Sequence, residues 1–205
     1  MKNNKNSKTW LAKRNKEYFF KKAKVHGYRS RSAYKLIEMN NKFKFIKKNS
    51  FLLDLGSSPG GWAQVASKII KEGKIMAIDL KPMDKQNKVY FLKKNMLDEK
   101  INDEIYEYFG QKIDVIVSDL AANTTGNKSL DSYKTGELCL TAMNIAKKIL
   151  KKDGVFLSKL FMGSVFFEIN EKAKKYFQKV IKYKPLSSKK ESKKIYIYCQ
   201  GISKI

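Results

Sequence analysis

The sequence predicts a Rossmann-like α/β fold in which a mostly parallel sheet of seven strands carries helices on both faces and ends in an antiparallel strand. Short apolar runs alternate with helical patterns along most of the chain, which is typical of parallel βαβ units. A glycine-rich turn follows the first of these runs and opens a helix. The last two runs are joined by a short loop without a helix, which indicates an antiparallel hairpin at one edge.

The predicted strands are the apolar runs at residues 51–55, 74–79, 89–92, 113–119, 154–161, 179–183 and 194–200. Helices are predicted at 62–70, 98–109, 131–151 and 166–177. Before the sheet, a short helix is expected at 30–42 with Ala33, Leu36 and Ile37 facing inward, and a helix or extended arm at 10–24. The 205 residues form one predicted domain, with residues 1–8 disordered, a basic extension at 9–50 and the sheet at 51–205.

The excess positive charge lies at the two ends of the chain. Residues 1–50 carry 16 basic and 2 acidic side chains, residues 169–205 carry 11 and 2, and the region between carries 17 and 15, for a total of +25. A general bias towards lysine would raise the net charge of residues 51–168 as well. The pattern therefore favours nucleic acid as a partner over scattered surface charge, and over a membrane, since no strongly apolar helix face accompanies it.

The composition also limits the cellular compartment of the protein and the kinds of metal site that it can form. The two cysteines, Cys139 and Cys199, cannot build a disulfide framework, and residues 1–8 have no apolar core of a secretory signal. We therefore expect a cytoplasmic protein, with an organelle matrix as the alternative. No apolar run approaches the roughly 18 residues of a membrane span. One histidine and two cysteines exclude an ordinary structural zinc site, and we expect a monomer without a metal.

The turn at residues 54–62 has the position of a nucleoside-binding turn. Gly56, Gly60 and Gly61 allow the backbone to bend sharply and to approach a ligand closely. Asp79 ends the next strand, 23 residues beyond Gly56, where a carboxylate can bind both hydroxyls of a ribose. As an alternative, a tight turn with a purely structural role would be enough to explain the three glycines. The turn, the carboxylate and the order of elements together favour a cofactor that contains a nucleoside.

The spacing of the glycines differs from that of a dinucleotide site, and Pro59 replaces part of the phosphate cradle. An adenosine ligand without a pyrophosphate fits better, and S-adenosylmethionine is such a ligand. Its sulfonium is positive, so the nearby carboxylates of Asp54 and Asp119 would stabilise it. Asn95, just past the third strand, is a candidate contact for the adenine, although a surface position is the commoner outcome for an asparagine.

Three charged residues are candidates for the transfer of a methyl group to a hydroxyl. Asp119 ends a buried strand at its carboxyl end, where open α/β sheets bind ligands. Lys159 lies inside an apolar strand, where its charge requires a partner, and Lys35 lies on the short basic helix. A buried lysine next to a second lysine gives up its proton more readily, so Lys159 is the candidate proton acceptor, oriented by Asp119. A structural ion pair without chemistry is the alternative.

From about Lys16 to Gly201 the chain resembles the FtsJ-like ribose 2′-O-methyltransferases. The motifs that carry the resemblance are residues 27–36, 54–62, 79–83, 118–123 and 158–161. The resemblance implies the S-adenosylmethionine-dependent methyltransferase fold and a catalytic Lys-Asp-Lys-Glu tetrad, whose first three members match Lys35, Asp119 and Lys159. It also implies cofactor contacts at Gly60, Trp62, Asp79, Asn95 and Asp119.

The chain departs from the family pattern at three positions. Ala122 stands where the family usually has proline, and Asn95 stands where it usually has aspartate. The tetrad glutamate falls at Lys194, two residues before Tyr196, and Glu191 is the nearest candidate to replace it. A residue three positions away points to the opposite face of a strand unless a bulge or turn intervenes.

Within the family, the motifs at 59–62 and 118–123 are more similar to those of the ribosomal RNA enzymes than to those of the tRNA branch. The resemblance implies methylation of a uridine in large-subunit ribosomal RNA, with that RNA or the large ribosomal subunit as partner. The alternatives are a tRNA methyltransferase, an inactive ribosome-assembly factor that binds ribosomal RNA, and an NAD-dependent oxidoreductase. Residues 9–50 then form an RNA-binding extension, and the side chains expected to bind the RNA backbone are Lys21, Lys22, Arg29, Arg31, Lys189 and Lys190.

Overall fold

The computed structural model describes residues 17–122, 125–163, 165–188 and 194–203. The predictions for residues 1–8 and for Lys189, Lys190 and Glu191 lie outside these ranges. The described helices are α1 (residues 17–25), α2 (Ala33–Phe43), α3 (Gly61–Ile69), α4 (Ile101–Phe109), α5 (Lys128–Ile149) and α6 (Phe166–Tyr176). The strands are β1 (Leu52–Leu55), β2 (Ile75–Asp79), β3 (Val89–Lys93), β4 (Ile113–Ser118), β5 (Leu150–Phe161), β6 (Phe177–Tyr183) and β7 (Lys194–Ile202).

The strands form one seven-stranded sheet in the order β3-β2-β1-β4-β5-β7-β6. Strands β1 to β5 pair in parallel, whereas β7 is antiparallel to both of its neighbours, β5 and β6. The predicted fold, a mostly parallel sheet with a final antiparallel strand, is confirmed. The last strand, β7, lies between β5 and β6. The strand at this edge of the sheet is therefore β6.

The side chains of the strands alternate between two hydrophobic layers, as period-two geometry requires. On one face, Leu52 of β1 packs in a cluster with α2 and α3. On the other face, Leu53 and Leu55 pack in a cluster with α4, α5 and α6. The helices therefore cover both faces, as the apolar runs predicted.

Helix α2 is part of the core rather than an appended extension. Ala33, Leu36 and Met39 are each fully buried on its inner face, at a spacing of three residues that follows one side of a helix. Ile37, which we expected to face inward, is only half-buried, and Met39 takes the inner position instead. The position of α2 matters for function because it brings Lys35 to the end of the sheet.

Several element boundaries differ from the prediction: α2 and α4, for example, begin at Ala33 and Ile101 rather than at residues 30 and 98. Helix α5 begins three residues early because the side chain of Asn127 accepts hydrogen bonds from the backbone N–H groups of Ser129 and Leu130, at 3.0 and 3.2 Å. Strand β5 begins at Leu150 rather than Gly154, since Leu150 already pairs with Ile113 of β4. Among the described helices, none combines the length and apolar character needed to cross a bilayer.

Candidate active site

A cleft of about 440 Å³ opens at the carboxyl ends of β1, β2 and β4. This is the edge at which open parallel sheets bind ligands. Four residues predicted to contact the cofactor share the lining of this cleft: Gly56, Asp79, Asn95 and Asp119. Its volume lies within the ordinary range for a small-molecule site.

Backbone hydrogen bonds fix the carboxylate of Asp79 at the rim of the cleft. Its Oδ2 accepts from the N–H of Ser58 at 2.9 Å, and its Oδ1 accepts from the N–H of Lys81 at 2.8 Å. Each oxygen keeps a lone pair that can accept a bond from a ribose hydroxyl. Asn95 uses its Oδ1 to accept from the N–H of Leu97 at 3.0 Å, which leaves its amide NH₂ for a ligand. These groups fit an adenosine-containing cofactor.

The glycines of the turn serve different purposes. Gly56 has a φ of +77°, and a Cβ there would lie 2.3 Å from a side-chain carbon of Leu120 in the lining of the cleft. A Cβ at Gly60, with a φ of +103°, would lie 2.1 Å from Nε2 of Gln86, and one at Gly61 would lie 2.2 Å from Oγ of Ser30. Gly60 and Gly61 therefore permit close packing of neighbouring loops. Among the described residues that line the cleft they do not appear, and their contact with the cofactor stays a prediction.

Trp62 likewise lies away from the cleft lining in the described structure. Its side chain is buried, and its indole N–H donates to the carbonyl oxygen of Ser32 at 2.9 Å. Its ring lies 5.8 Å, centroid to centroid, from that of Tyr196. Trp62 thus joins α3 to the start of α2 and to β7, and the cofactor contact that the family implies for it stays a prediction.

Lys35, Asp119 and Lys159, which we call the charged cluster, converge beside the cleft. Lys159 Nζ lies 2.6 Å from Asp119 Oδ1 and also donates to the backbone carbonyl oxygen of Asp119. Lys35 Nζ lies 3.8 Å from Asp119 Oδ2. The three side chains come from α2, from the end of β4 and from β5, and all are largely buried. The convergence of Lys159 and Asp119 that the strand positions predicted is confirmed.

Burial and charge act in opposite directions within the charged cluster. Burial lowers the pKa of Lys35; Asp119 opposes this shift, and the ammonium of Lys159 adds to it. Burial alone would raise the pKa of Asp119. The charges of Lys159 and Lys35, together with hydrogen bonds from Lys159 and Tyr196, outweigh burial and hold that pKa below its ordinary value. Asp119 is therefore an anion at neutral pH.

The expectation that the charge of Asp54 stabilises the cofactor stays a prediction, because this carboxyl is largely neutral at pH 7 in the cofactor-free protein. The residue is 1% exposed, and its carboxylate oxygens lack a well-aligned hydrogen bond within the described residues, although the backbone N–H of Ala63 is near enough to stabilise the anion. Burial, with the charge of Asp119 as the second cause, raises the pKa of Asp54 to about 8. At pH 7 most of this carboxyl is protonated, so Asp119 is the carboxylate that carries charge beside the two lysines.

Two residues of this region escaped the sequence analysis. Tyr196 of β7 donates its hydroxyl to Asp119 Oδ1 at 2.6 Å and accepts from Lys35 Nζ at 3.2 Å. Glu38 of α2 accepts from the hydroxyl of Tyr183 and from the backbone N–H of Leu186, at 2.8 and 2.7 Å, and binds Ser187 as well. Glu38 thereby fastens the hairpin of β6 and β7 to α2. One clue was available: Glu38 is one of two acids among the first 50 residues.

The fourth position of the implied tetrad is occupied by a lysine. Lys194 begins β7 opposite Phe161, and its Nζ lies 4.8 Å from the centroid of the Phe161 ring. Its charge reaches Lys35 and lowers the pKa of that lysine further, after burial and the nearer charges. Glu191 lies outside the described residues, so its membership of the site stays a prediction.

The basic side chains predicted to bind RNA differ in their surroundings. Lys21 is exposed on α1, and Lys22 Nζ lies 5.2 Å from the centroid of the Tyr34 ring. Arg29 instead donates to the carbonyl oxygens of Asp84 and Lys85, at 2.7 and 2.8 Å, and so holds the loop after β2 against the glycine turn. Arg31 is half-buried beside the charged cluster.

Comparison with known proteins extends these findings. The family model of the FtsJ-like methyltransferases matches residues 28–202. The ribosomal RNA large subunit methyltransferase E of Pelagibacter ubique is 45% identical over 98% of both chains, and that of Rickettsia akari is 41% identical over 93% of this chain and 87% of its own. The crystal structure of a ribosomal RNA methyltransferase from Plasmodium falciparum superposes with a TM-score of 0.77 at 35% identity, over 85% of this chain and 98% of that one. With the nucleoside cleft and the charged cluster in place, the match over most of its length shows that this chain belongs to the FtsJ-like methyltransferase family.

Proposed function

We propose that this protein transfers the methyl group of S-adenosylmethionine to the ribose 2′-hydroxyl of a uridine in large-subunit ribosomal RNA. The convergence of Lys35, Lys159 and Asp119 beside a nucleoside cleft is the observation that carries the proposal. The names of the most similar curated relatives support the RNA class, and the motif resemblance supports the uridine. The partner is ribosomal RNA or the large subunit, and the protein works in the cytoplasm.

The cleft holds the cofactor by groups that the structure already positions. Asp79 would accept from the ribose hydroxyls, Asn95 would donate its amide to the adenine, and Gly56 would allow the backbone to come close. When bound, S-adenosylmethionine supplies an electrophilic methyl group on a positively charged sulfur. Placement of the attacking oxygen in line with that methyl group accounts for a large part of the rate acceleration.

Lys159 accepts the proton of the 2′-hydroxyl as its oxygen attacks. Within the described chain, Asp119 is the carboxylate that lies within 4.0 Å of both ammonium groups, and Asp54 is largely neutral at pH 7. One anion therefore faces two lysines, and burial together with the charge of Lys159 lowers the pKa of Lys35. Asp119 orients Lys159 and stabilises the ammonium that forms when the proton arrives.

The test uses the purified protein, labelled S-adenosylmethionine and large ribosomal subunits that lack the modification. We expect transfer of one methyl group to a uridine, and the neighbouring phosphodiester bond should then resist alkaline hydrolysis because the 2′-oxygen is blocked. A methyl group on a base would contradict the ribose chemistry. Transfer to tRNA instead of ribosomal RNA would contradict the substrate, and tight binding of ribosomal RNA without transfer would favour an assembly factor.

The basic face around α1 and the start of α2 binds the RNA backbone in this proposal. Phosphate neutralisation releases counterions, so we expect the affinity for ribosomal RNA to fall steeply with salt. Lys21→Ser should reduce the slope of log affinity against log salt by about 0.7 to 0.9, the contribution of one phosphate contact. Lys148→Ser is the matched control, because Lys148 is exposed on α5 across the sheet. Equal slopes of log affinity against log salt for Lys21→Ser and the unchanged protein would show that Lys21 makes no contact with the RNA backbone.

A further inference from the structure

Tyr196 lies at the centre of the charged cluster. Its side chain is 1% exposed, and its ring sits between α2, α3 and the sheet. Residue 196 of β7 pairs directly with residue 159 of β5, so the tyrosine and Lys159 point to the same face of the sheet. A buried tyrosine hydroxyl requires a hydrogen-bond partner, and here it has two, both within the charged cluster.

We propose that Tyr196 is a positioning residue for methyl transfer: its hydroxyl links Lys35 to Asp119 and holds the carboxylate towards Lys159. The inference rests on the proposed function and deepens it. The hydroxyl donates to Asp119 Oδ1 at 2.6 Å, the same oxygen that Lys159 Nζ approaches at 2.6 Å. Its lone pair accepts from Lys35 Nζ at 3.2 Å. One hydroxyl therefore bonds both to the carboxylate and to the ammonium group of Lys35.

The hydroxyl of Tyr196 is more important here because β7 begins with Lys194, where the family pattern implies a glutamate. Lys194, on the same face two residues earlier, places its ammonium over the ring of Phe161 and supplies no carboxylate. The hydroxyl of Tyr196 provides a polar contact between β7 and Asp119. The charged groups that face this network are Arg31 before α2, Lys35 of α2, Asp119, Lys159 of β5, Lys194 of β7 and Asp54 of β1.

The hydroxyl also sets how tightly the site holds its protons. Burial raises the pKa of Tyr196 well above its ordinary value, and the charge of Asp119 adds to the shift, so the tyrosine remains a donor throughout the working range of pH. Its donated hydrogen bond spreads the negative charge of Asp119. Without it, the carboxylate would attract the protons of the lysines more strongly, and a higher pH would be needed to free the proton acceptor.

The experiment compares Tyr196→Phe with Tyr198→Phe in the full-length protein. Tyr198 is a matched control: it is 2% exposed, lies on the same face of β7, donates its hydroxyl to Gln200 at 3.1 Å, and stacks on the ring of Phe43 rather than on the charged cluster. Both changes remove one buried hydroxyl. We measure kcat and KM for methyl transfer to unmodified large subunits across about pH 6 to 9, a range that brackets the expected acid limb, together with the melting temperature of each variant.

Tyr196→Phe should lower kcat about tenfold with an unchanged KM for S-adenosylmethionine, and should move the acid limb of the pH profile at least about half a unit to higher pH. Tyr198→Phe should leave both unchanged. A wild-type profile for Tyr196→Phe, or an equal loss at every pH, would overturn the inference, since it would leave the hydroxyl with packing alone. If Tyr196→Phe does not fold, 3-fluorotyrosine at position 196 keeps the shape and strengthens the donor; the acid limb should then move to lower pH, and an unmoved limb would overturn the inference. A wild-type protein without methyl transfer would overturn the proposed function itself.

Discussion

Lys159→Met is expected to lower kcat for methyl transfer by roughly 10²- to 10⁴-fold, the usual contribution of a general base. Methionine keeps most of the length and the apolar stem of lysine but cannot accept a proton. Lys35 and Tyr196 remain in contact with Asp119, so the carboxylate keeps two partners and the fold survives. Cofactor affinity should change by no more than about threefold, because Lys159 is absent from the described lining of the nucleoside cleft.

Lys151→Met provides the matched control on the same strand. Lys151 also pairs with an aspartate, Asp114 at 2.7 Å, but it lies at the opposite end of β5 and is 42% exposed. An exposed ion pair contributes at most about 1 kcal/mol, so this variant should retain its activity and its fold. In the wild-type protein, activity should rise with pH until the group that accepts the proton is free to do so. More than a tenth of the activity left in Lys159→Met, with the same pH profile, would show that another group takes the proton.

The order of strands and helices was predictable because each element carries a simple local pattern. Solid apolar runs identified the buried parallel strands, and the missing helix before β7 identified the antiparallel hairpin. The start of α5 was set too late because the prediction followed the helical pattern from Asp131 and did not use Asn127, a typical N-cap residue that accepts from Ser129 and Leu130. The early start of β5 depends on pairing of Leu150 with Ile113, a contact between distant parts of the chain that no local pattern reveals.

The candidate site followed from the sequence where residues stand at strand ends. Asp79 and Asp119 lie at the carboxyl ends of β2 and β4, and topology alone brings them to one edge. Tyr196 and Glu38 were missed because their partners lie 77 and 145 residues away along the chain, and nothing local marks them. Arg29 has a structural role that the basic segment did not reveal: its guanidinium donates to backbone carbonyls of the loop after β2, and its contact with RNA stays a prediction.

Asp54→Asn is expected to stabilise the cofactor-free protein, and the gain should grow as pH rises from about 5 to 8. Burial raises the pKa of Asp54 to about 8 in the folded chain, against an ordinary value of 3.8. Between these values the folded state holds a proton that the unfolded state has lost, so the free energy of unfolding falls by up to about 1.4 kcal/mol per pH unit. Asparagine stays neutral at every pH, and this loss disappears.

Urea unfolding of the wild type and of Asp54→Asn at about pH 5, 6.5 and 8 measures the difference; we expect it to widen by at least about 2 kcal/mol over that interval. Asp131→Asn is a control of opposite sign. Asp131 accepts from the backbone N–H and the hydroxyl of Thr125, both at 2.8 Å, and these bonds lower its pKa. Its stabilisation is complete above the unfolded value, so that variant should be destabilised by a constant amount from pH 5 to 8. A constant gap for Asp54→Asn as well would contradict a buried neutral acid.

The buried carboxyl of Asp54 destabilises the cofactor-free protein. A role in binding the positively charged cofactor would explain why an aspartate stands at this position. If Asp54 meets that charge, binding must remove its proton, because only the carboxylate attracts a cation. Wild-type affinity for S-adenosylmethionine should then rise between about pH 6 and 8, by at most tenfold per unit, whereas the affinity of Asp54→Asn should be lower and flat. Calorimetry in two buffers of different ionisation enthalpy would show release of up to one proton in the wild type alone. Equal proton release by both proteins would show that another group loses the proton on binding. Asp54 would then destabilise the fold without contributing to cofactor binding.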